Sequence, residues 1–291
     1  MSSVSPDLPA LPRKAKVIAA RPFPTSKVVW SVVGWLVVFV FFFPVLWMWL
    51  EALKTEPQAA SSPPTILFVP TLEEFQTVLA GDFPPFFINS AIASLGSTLL
   101  VLVLGLPAAY ALAIRPVKRT QDVLFFFIST RFLPFAASLV PLYLLARDLQ
   151  LLDNIFALAA IYTTINLPLG VWLLRSFLLE IPPELFEAAR VDGASFGTEI
   201  LRIVVPLIAP GIAATALICL IFSWNEFFYA VNFTSSTAAT APIFLVGFIS
   251  GRSLFYAKLA AAATMASLPV LLAGWIAQKQ LIRGLTMGAV K

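Results

Sequence analysis

The sequence predicts an all-α integral membrane protein with six membrane-spanning helices. Hydrophobic residues make up 59% of its 291 residues and charged residues only 12%, a composition far from that of soluble domains. A helix needs about 20 apolar residues to cross the hydrocarbon core of a bilayer. Six segments meet this requirement, and they are residues 28–50, 87–114, 123–146, 155–174, 203–228 and 259–282.

Lysine and arginine residues between these segments indicate the orientation, because they accumulate on the cytoplasmic side of a membrane. With the N-terminus inside, the inner segments carry 14 of them and the outer segments 4. Both termini are therefore expected in the cytoplasm. Three regions follow: an N-terminal tail (1–27), a transmembrane domain (28–282) and a C-terminal tail (283–291). The net charge of +4 reflects this topology and does not indicate nucleic-acid binding. Membrane lipid is the expected partner, and nucleic acid is not.

Residues for catalysis and metal binding are scarce. The chain has no histidine, and its single cysteine, Cys219, lies in an apolar run, so neither an intrachain disulfide nor a transition-metal site is expected. It also has no G-x-x-x-x-G-K-[ST] phosphate loop. If ATP is bound through such a loop, the loop must belong to another subunit. The sequence predicts a protein that is not an enzyme.

The longest outer segment, residues 51–85, carries little structure of its own. Thr71 is suited to cap a short helix in which Glu74 occupies the third position. The length of the segment excludes a large folded outer domain. The outer face therefore offers only loops.

The inner segment 179–210 predicts two short helices. Pro182 and Pro183 suit a first helical turn, and Gly193 can adopt the left-handed conformation that ends a helix. Ser195 can cap a second helix that runs into the fifth span. The first helix has one apolar face, formed by Leu185, Ala188 and Ala189. The second repeats apolar residues at helical spacing, at Ile200, Ile203, Val204 and Leu207. An ordinary connecting loop is the alternative interpretation of Glu187-Ala188-Ala189 alone.

The spacing of this segment resembles a known motif. Glu187-Ala188-Ala189, three residues, Gly193, nine residues and Ile203-x-Val205-Pro206 resemble the EAA loop of bacterial ATP-binding-cassette (ABC) importer permeases, with Val205 where leucine is usual. The chain is most similar to the carbohydrate permeases typified by the maltose system. That similarity rests on four further stretches, Asn89-Ser90 and residues 181–186, 224–226 and 284–291. Residues 254–259 and 275–279 resemble the branch that imports polyols such as mannitol and sorbitol.

The resemblance implies a subunit of a larger importer in the bacterial cytoplasmic (inner) membrane. Its partners would be a second, non-identical permease, two copies of a cytoplasmic ATPase, which use ATP and Mg²⁺, and an extracytoplasmic carbohydrate-binding protein. The EAA helix would seat in a cleft of the ATPase. The residues implied in this coupling are Glu187, Ala188, Ala189, Arg190, Asp192, Gly193 and Pro206. The C-terminal residues Gly288, Val290 and Lys291 would also contact the ATPase, with a frayed terminus as the alternative.

Two ionisable residues in or near predicted spans are candidates for the substrate path, since such residues are costly in a bilayer. Arg131 lies within the third span and faces either the path or a backbone carbonyl. Glu226, with Trp224 and Asn225, lies near the outer interface. These three form either a gate or docking surface, or an interfacial anchor with a solvated carboxylate.

Two other classes compete with the ABC importer. An ion-coupled secondary transporter of a small polar solute could have six spans but has no use for the EAA spacing. An integral membrane enzyme is disfavoured because the chain lacks histidine and paired intramembrane carboxylates. The sequence does not identify the sugar, because selectivity can lie in the binding protein and the partner permease.

Overall fold

The computed structural model describes residues 25–115, 118–132, 135–250 and 253–287. The described chain is helical apart from one short antiparallel pair, β1 (Ile249–Ser250) and β2 (Ser253–Leu254), which confirms the predicted all-α class. The helices are α1 (Thr25–Ala52), α2 (Glu56–Ala59), α3 (Glu73–Ala80), α4 (Phe83–Ile114), α5 (Thr120–Arg131), α6 (Phe135–Asp148), α7 (Ile155–Leu178), α8 (Pro183–Val191), α9 (Phe196–Thr198), α10 (Val205–Leu207), α11 (Ala209–Trp224), α12 (Phe228–Phe233), α13 (Ala241–Gly247) and α14 (Tyr256–Met287). A π-helical segment, Glu199–Val204, joins α9 to α10.

Four of the described helices are long and apolar enough to cross a membrane, namely α1, α4, α7 and α14. Each contains the whole of a predicted span; α7 begins with its span at Ile155, and the other three begin a few residues before theirs. The two remaining predicted spans correspond to bent pairs of helices. The number of candidate membrane spans is six if each pair is counted as one span. The predicted tail residues 1–24 and 288–291, including Gly288, Val290 and Lys291, lie outside the described residues.

The third predicted span, 123–146, is not one straight helix. It consists of α5 and α6, whose axes differ by 89°. Arg131 is the last residue of α5, so it lies at the end of a helix and not in the middle of one.

The fifth predicted span, 203–228, is also divided. Residues Phe196–Leu207 form one helical segment, and α11 leaves it at an angle of 83°. Pro210 is near the start of α11 and has no N–H to donate to the preceding turn, which permits the sharp change of direction. The second connecting helix therefore does not run straight into the membrane helix, contrary to the prediction. Glu226 lies beyond the end of α11 at Trp224.

The chain divides into two compact units, the first ending at Trp47 and the second beginning at Met48. The first unit contains most of α1, a 28-residue helix that includes Pro44. Between residues 27 and 44 its side chains are exposed all round the helix; Trp35 and Phe41, for example, are 74% and 79% exposed. A helix that is apolar on every face is suited to lipid or to another membrane subunit.

Within the second unit, α7 packs against both α4 and α11. The helices approach closely where one of them has glycine. A Cβ atom at Gly170 of α7 would lie 2.4 Å from Val101 of α4, and one at Gly211 of α11 would lie 2.4 to 2.9 Å from the ring of Phe177. Small residues permit close helix packing in membranes, where dispersion contacts replace the hydrophobic effect between helices.

A buried polar cluster joins the same three helices. The hydroxyls of Ser97 on α4 and Ser223 on α11 are 3.2 Å apart, and Asn166 of α7 donates to Ser223 at 3.0 Å. Asn166 is only 2% exposed. Interhelical hydrogen bonds of this kind hold the relative rotation of membrane helices. The cluster therefore fixes how the three helices face one another.

The predicted helix in the segment 51–85 is present as α3. The Thr71 hydroxyl accepts a hydrogen bond from the amide of Glu73 at 3.1 Å. The residue immediately before the helix is Leu72, so Glu74 is its second residue and not its third. The prediction of a short helix at this position is confirmed.

We predict that Gly211→Ala destabilises the protein by about 1–3 kcal/mol, because the new methyl group meets the Phe177 ring in a packed interface. Thermal unfolding of the purified protein in detergent measures the effect. Gly274→Ala is the matched control, since a Cβ at Gly274 meets nothing within 4 Å. Equal stability of the two variants would contradict the close approach of α11 to α7.

Candidate functional site

The helix α8 begins and ends at the signals that the sequence contains. Pro183 is its first residue, with Pro182 before it. At the other end Gly193 has a φ of +78°, its amide donates to Arg190 at 3.1 Å, and the amide of Ala194 donates to Ala189 at 2.9 Å. This pair of bonds is a Schellman motif, which satisfies the last carbonyls of the helix and requires a left-handed residue. The predicted helix end at Gly193 is confirmed.

The apolar residues of α8 are divided between two faces. Phe186 and Ala189 are buried, at 2% and 7% exposure, whereas Leu185 is 44% exposed and Ala188 is exposed. The sequence predicted one apolar face containing Leu185, Ala188 and Ala189, and the structure corrects this. One face anchors α8 to the bundle through Phe186, and another presents small and apolar side chains to the surroundings.

The second connecting helix begins as predicted. The Ser195 side chain accepts a hydrogen bond from the amide of Thr198 at 3.3 Å and so caps the helix. Of the predicted apolar positions, Ile200 and Val204 are buried, at 7% and 0% exposure, but Leu207 is 50% exposed. The π-helical turn between Glu199 and Val204 changes which residues share a face, since π geometry departs from 3.6 residues per turn.

Sequence reasoning did not single out Glu199, whose side chain is 1% exposed. Its Oε2 lies 3.3 Å from Nη2 of Arg115, the residue that follows α4, and its Oε1 lies 3.7 Å from Nη2 of Arg190 on α8. Buried carboxylates are rare unless they are paired. One sign of this burial was present in the sequence. Glu199 directly precedes Ile200, which is one of the apolar residues at helical spacing that pack inward.

Arg131 lies where α5 meets α7 and α11. Its Nη1 donates to the carbonyl of Ile165 at 3.0 Å, and its guanidinium lies 5.4 Å from the centroid of the Phe222 ring. It also lines a cavity of about 320 Å³. The other lining residues combine aromatic rings and hydroxyls with apolar side chains, and they include Phe126, Phe127, Thr130, Ser138, Thr164 and Tyr229. Of the two alternatives, the bond to a backbone carbonyl is present.

Trp224, Asn225 and Glu226 lie together at the opposite end of α11 from α8, and all three make structural contacts; the Asn225 side chain donates to the carbonyl of Ile221 at 2.8 Å. Trp224 is 6% exposed, donates to the carbonyl of Ala266 at 2.9 Å and packs edge-on against the ring of Phe87. Trp224 is therefore buried between helices and does not project as an interfacial anchor. The Glu226 carboxylate accepts from the amides of Tyr229 at 2.9 Å and Ala230 at 3.2 Å, in the first turn of α12. Asn225 is exposed.

Comparison with known proteins gives the family. Residues 102–285 match the family described as binding-protein-dependent transport system inner membrane component, a region that includes α8 and both bent pairs. The chain belongs to this family. It is 38% identical to the "Probable ABC transporter permease protein y4oR" of Sinorhizobium fredii, over 92% of this chain and 96% of that protein. It is 33% identical to the trehalose transport system permease SugB of Mycobacterium tuberculosis, over 90% and 97% of the two chains.

The fold agrees with a solved transporter structure. A crystal structure of a bacterial ABC transporter involved in the import of the acidic polysaccharide alginate contains a chain with a TM-score of 0.73 to this one, 21% sequence identity, and coverage of 90% of this chain and 98% of that one. Permeases of this family are multi-pass inner-membrane subunits that hydrolyse no ATP themselves. They work with ATPase subunits, a second permease and a binding protein, so an ion-coupled carrier is set aside.

A second group of permease residues that sequence reasoning missed surrounds Asp153, in the connection between α6 and α7. Its carboxylate accepts hydrogen bonds from backbone amides of the segment 235–238, at 2.9 Å from Ser235, 3.0 Å from Thr237 and 3.0 Å from Ala238. Asn89 on α4 donates to the carbonyls of Thr237 and Ala239 in the same segment. The loop that follows α12 is therefore tied to two other parts of the bundle.

These amide contacts determine the ionisation of Asp153. Burial acts to raise its pKa, but the hydrogen bonds from Ser235, Thr237 and Ala238 outweigh that effect and hold the pKa well below its usual range. The folded permease therefore binds fewer protons at this group than the unfolded chain does near pH 4. Its contribution to stability is present above the unfolded pKa of about 3.9 and is lost as the pH falls below it.

We predict that Asp153→Asn lowers the thermal stability of the detergent-solubilised permease at pH 7, because the amide NH₂ opposes the backbone N–H donors. The difference from the unmodified protein shrinks as the pH falls below about 4. Unfolding temperatures measured between pH 3.5 and 7.5 check this. Asp148→Asn is the control, since Asp148 is exposed and pairs with its neighbour Arg147 at the surface. A difference independent of pH would contradict the depressed pKa.

Proposed function

We propose that this chain is one permease subunit of an ABC importer and forms, with a second and non-identical permease, the membrane pathway for a carbohydrate. The substrate class is a sugar, a small oligosaccharide or a polyol delivered by an extracytoplasmic binding protein. The trehalose permease SugB and the diacetylchitobiose uptake permease DasC of Streptomyces coelicolor, which is 30% identical over 90% of this chain, support a carbohydrate. The polyol branch is the narrowest form of the proposal and rests on the similarity of residues 254–259 and 275–279.

The observation that carries the proposal is the exposed face of α8, a short helix closed by Gly193 in a chain of this transporter family. Leu185 and Ala188 on that face are exposed together with Glu187 and Asp192. An apolar patch with charged residues around it is suited to a protein partner. We infer that α8 binds the ATPase through this face and that Gly193 holds the end of α8 in place. Pro206 lies next to the bend that leads to α11.

This assignment sets the orientation of the permease. If α8 meets the ATPase, the end of the bundle formed by α8 and the C-terminal end of α4 is cytoplasmic, in agreement with the distribution of lysine and arginine. Both chain termini would then be cytoplasmic, and Gly288, Val290 and Lys291 would reach the ATPase. Two ATPase copies would bind ATP and Mg²⁺, and this chain would bind neither.

The cavity beside Arg131 is the proposed part of the substrate path in this subunit. Sugars are recognised by hydroxyl and guanidinium donors together with aromatic faces, and the cavity has Arg131, Thr130, Ser138 and Tyr229 next to Phe126 and Phe127. Its volume of about 320 Å³ lies at the lower end of the range for small-ligand sites. Asn225 and Glu226 at the far end of α11 would belong to the outer gate or to the surface that meets the binding protein.

We predict that Gly193→Val leaves membrane insertion intact but lowers substrate-stimulated ATP hydrolysis about 10-fold or more, because a β-branched residue cannot hold the left-handed conformation there without strain. ATP hydrolysis by the reconstituted complex, with and without loaded binding protein, is the measurement. Gly197→Val is the matched control, since a Cβ at Gly197 meets nothing within 4 Å and its φ is not positive. Normal stimulated hydrolysis in Gly193→Val would contradict the proposed role of α8.

We predict that Arg131→Ala reduces carbohydrate uptake by about 10-fold without preventing assembly, because it removes a charged donor from the cavity. Arg131→Lys should retain part of the uptake, since it keeps the charge but not the planar guanidinium. Uptake of labelled sugar and co-purification of the ATPase are measured on the same membranes. Unchanged uptake kinetics in Arg131→Ala would leave only a structural role, the hydrogen bond to Ile165.

A further inference from the structure

The Glu199 carboxylate lies between two arginines that come from different parts of the permease. Arg115 follows the C-terminal end of α4, and Arg190 belongs to the last turn of α8. Each approaches a different oxygen of Glu199, at 3.3 Å and 3.7 Å respectively. The three residues are called the Glu199 junction here, and they connect α4, α8 and the π-helical segment.

Aromatic contacts surround the junction and connect the same elements. Tyr110 of α4 is fully buried, and its ring meets Phe186 of α8 at 6.0 Å and Phe196 of α9 at 5.5 Å, both edge-on. The guanidinium of Arg115 lies 5.8 Å from the centroid of the Tyr110 ring. Apolar packing and charge pairing therefore hold α8 against α4 at the same place.

The two arginines differ from Glu199 in their surroundings. The side chains of Arg115 and Arg190 are 41% and 40% exposed, but that of Glu199 is 1% exposed. A buried charge is strongly unfavourable when its partner is removed, because water cannot replace the lost contact. If α8 moved away from the end of α4, Glu199 would lose Arg190 or Arg115. The burial of Glu199 therefore opposes any separation of α8 from α4.

The backbone sets the position of Glu199. It is the first residue of the π-helical segment, and its amide donates to the carbonyl of Ser195, the capping residue, at 2.8 Å. π-Helical turns inside helices are often found at functional sites, where they change the direction of a side chain. Here the turn places Glu199 and Ile200 side by side on the buried surface.

We propose that Glu199 is a positioning residue which makes α8, the π-helical segment and the end of α4 move as one body, so that movement of the ATPase reaches the membrane helix α4. Arg190, which the family resemblance assigned to contact with the ATPase, acts toward Glu199 inside the permease. This inference rests on the proposed function, because it names how the displacement of α8 is transmitted.

Glu199→Gln tests the junction, since it keeps the size of the side chain and removes its charge. The complete complex, with ATPase, second permease and binding protein, is reconstituted in liposomes. The number of ATP molecules hydrolysed per carbohydrate molecule imported is measured together with ATPase activity in the absence of binding protein. We expect ATPase activity to persist, import to fall about 10-fold and the ATP-to-substrate ratio to rise. A simple loss of folding would lower hydrolysis and import together.

Matched variants separate the junction from general effects of charge on α8. Glu184→Gln changes an exposed carboxylate in the first turn of the same helix and should leave the ratio unchanged. Arg190→Gln should raise the ratio, and Arg190→Lys should restore most of the coupling. The double variant Arg190→Gln with Glu199→Gln should be no worse than Glu199→Gln alone, because residues in one network are not additive.

The outcomes distinguish this inference from the function on which it rests. If the unmodified complex shows no ATP-dependent import of any carbohydrate tested, the proposed function is wrong. If it imports and Glu199→Gln keeps a normal ATP-to-substrate ratio, the inference alone is overturned. If Glu199→Gln does not assemble, Arg190→Gln and Arg115→Gln replace it, since each leaves Glu199 one arginine. Normal ratios in both would overturn the inference, and a raised ratio in Arg190→Gln would support it.

Discussion

The close packing of α7 against α4 and α11 is the constraint on which the rest of the permease depends. Because Gly170 and Gly211 have no side chain, these helices approach so closely that an added methyl group would clash with the neighbouring helix. The buried hydrogen bond between Asn166 and Ser223 fixes the rotation of the helices relative to one another. In a bilayer this contact cannot come from exclusion of water, so it depends on fit and on hydrogen bonds. Glu199 and the residues of α8 lie on the segment that joins α7 to α11.

Each end of this three-helix unit carries a carboxylate that connects separate segments of the chain. At one end Asp153 accepts from the amides of the loop after α12, and at the other Glu199 lies between Arg115 and Arg190. The partners differ, because Asp153 accepts from backbone amides that no helix satisfies, whereas Glu199 pairs with two guanidinium groups. The two sites differ in consequence. The Asp153 contacts stiffen a loop, whereas the Glu199 junction joins a peripheral helix to a membrane helix.

Local sequence signals predicted the parts of the structure that depend on neighbouring residues. Helix ends depend on local backbone geometry, so the sequence predicts the residues at which they occur. The signals here are the proline pair before α8, Gly193 and Ser195. The sizes of the two bends could not be predicted, because an apolar run has the same hydropathy whether its helix is straight or turns by 83°. The roles of Trp224 and Arg131 were left between alternatives, since their partners, Ala266 and Ile165, are distant in sequence.

The sequence by itself determined the membrane class, the apolar segments, the motif around Glu187 and Gly193 and the signals that begin and end α8. Those properties follow from composition, from helix capping and from the glycine-specific φ of one residue, all of which are local. Only the tertiary structure decided which face of α8 is buried, where α5 and α11 change direction, and that Glu199 meets two arginines. Those properties depend on contacts between segments separated by many residues, such as Arg115 and Glu199, and no local pattern records such a pairing.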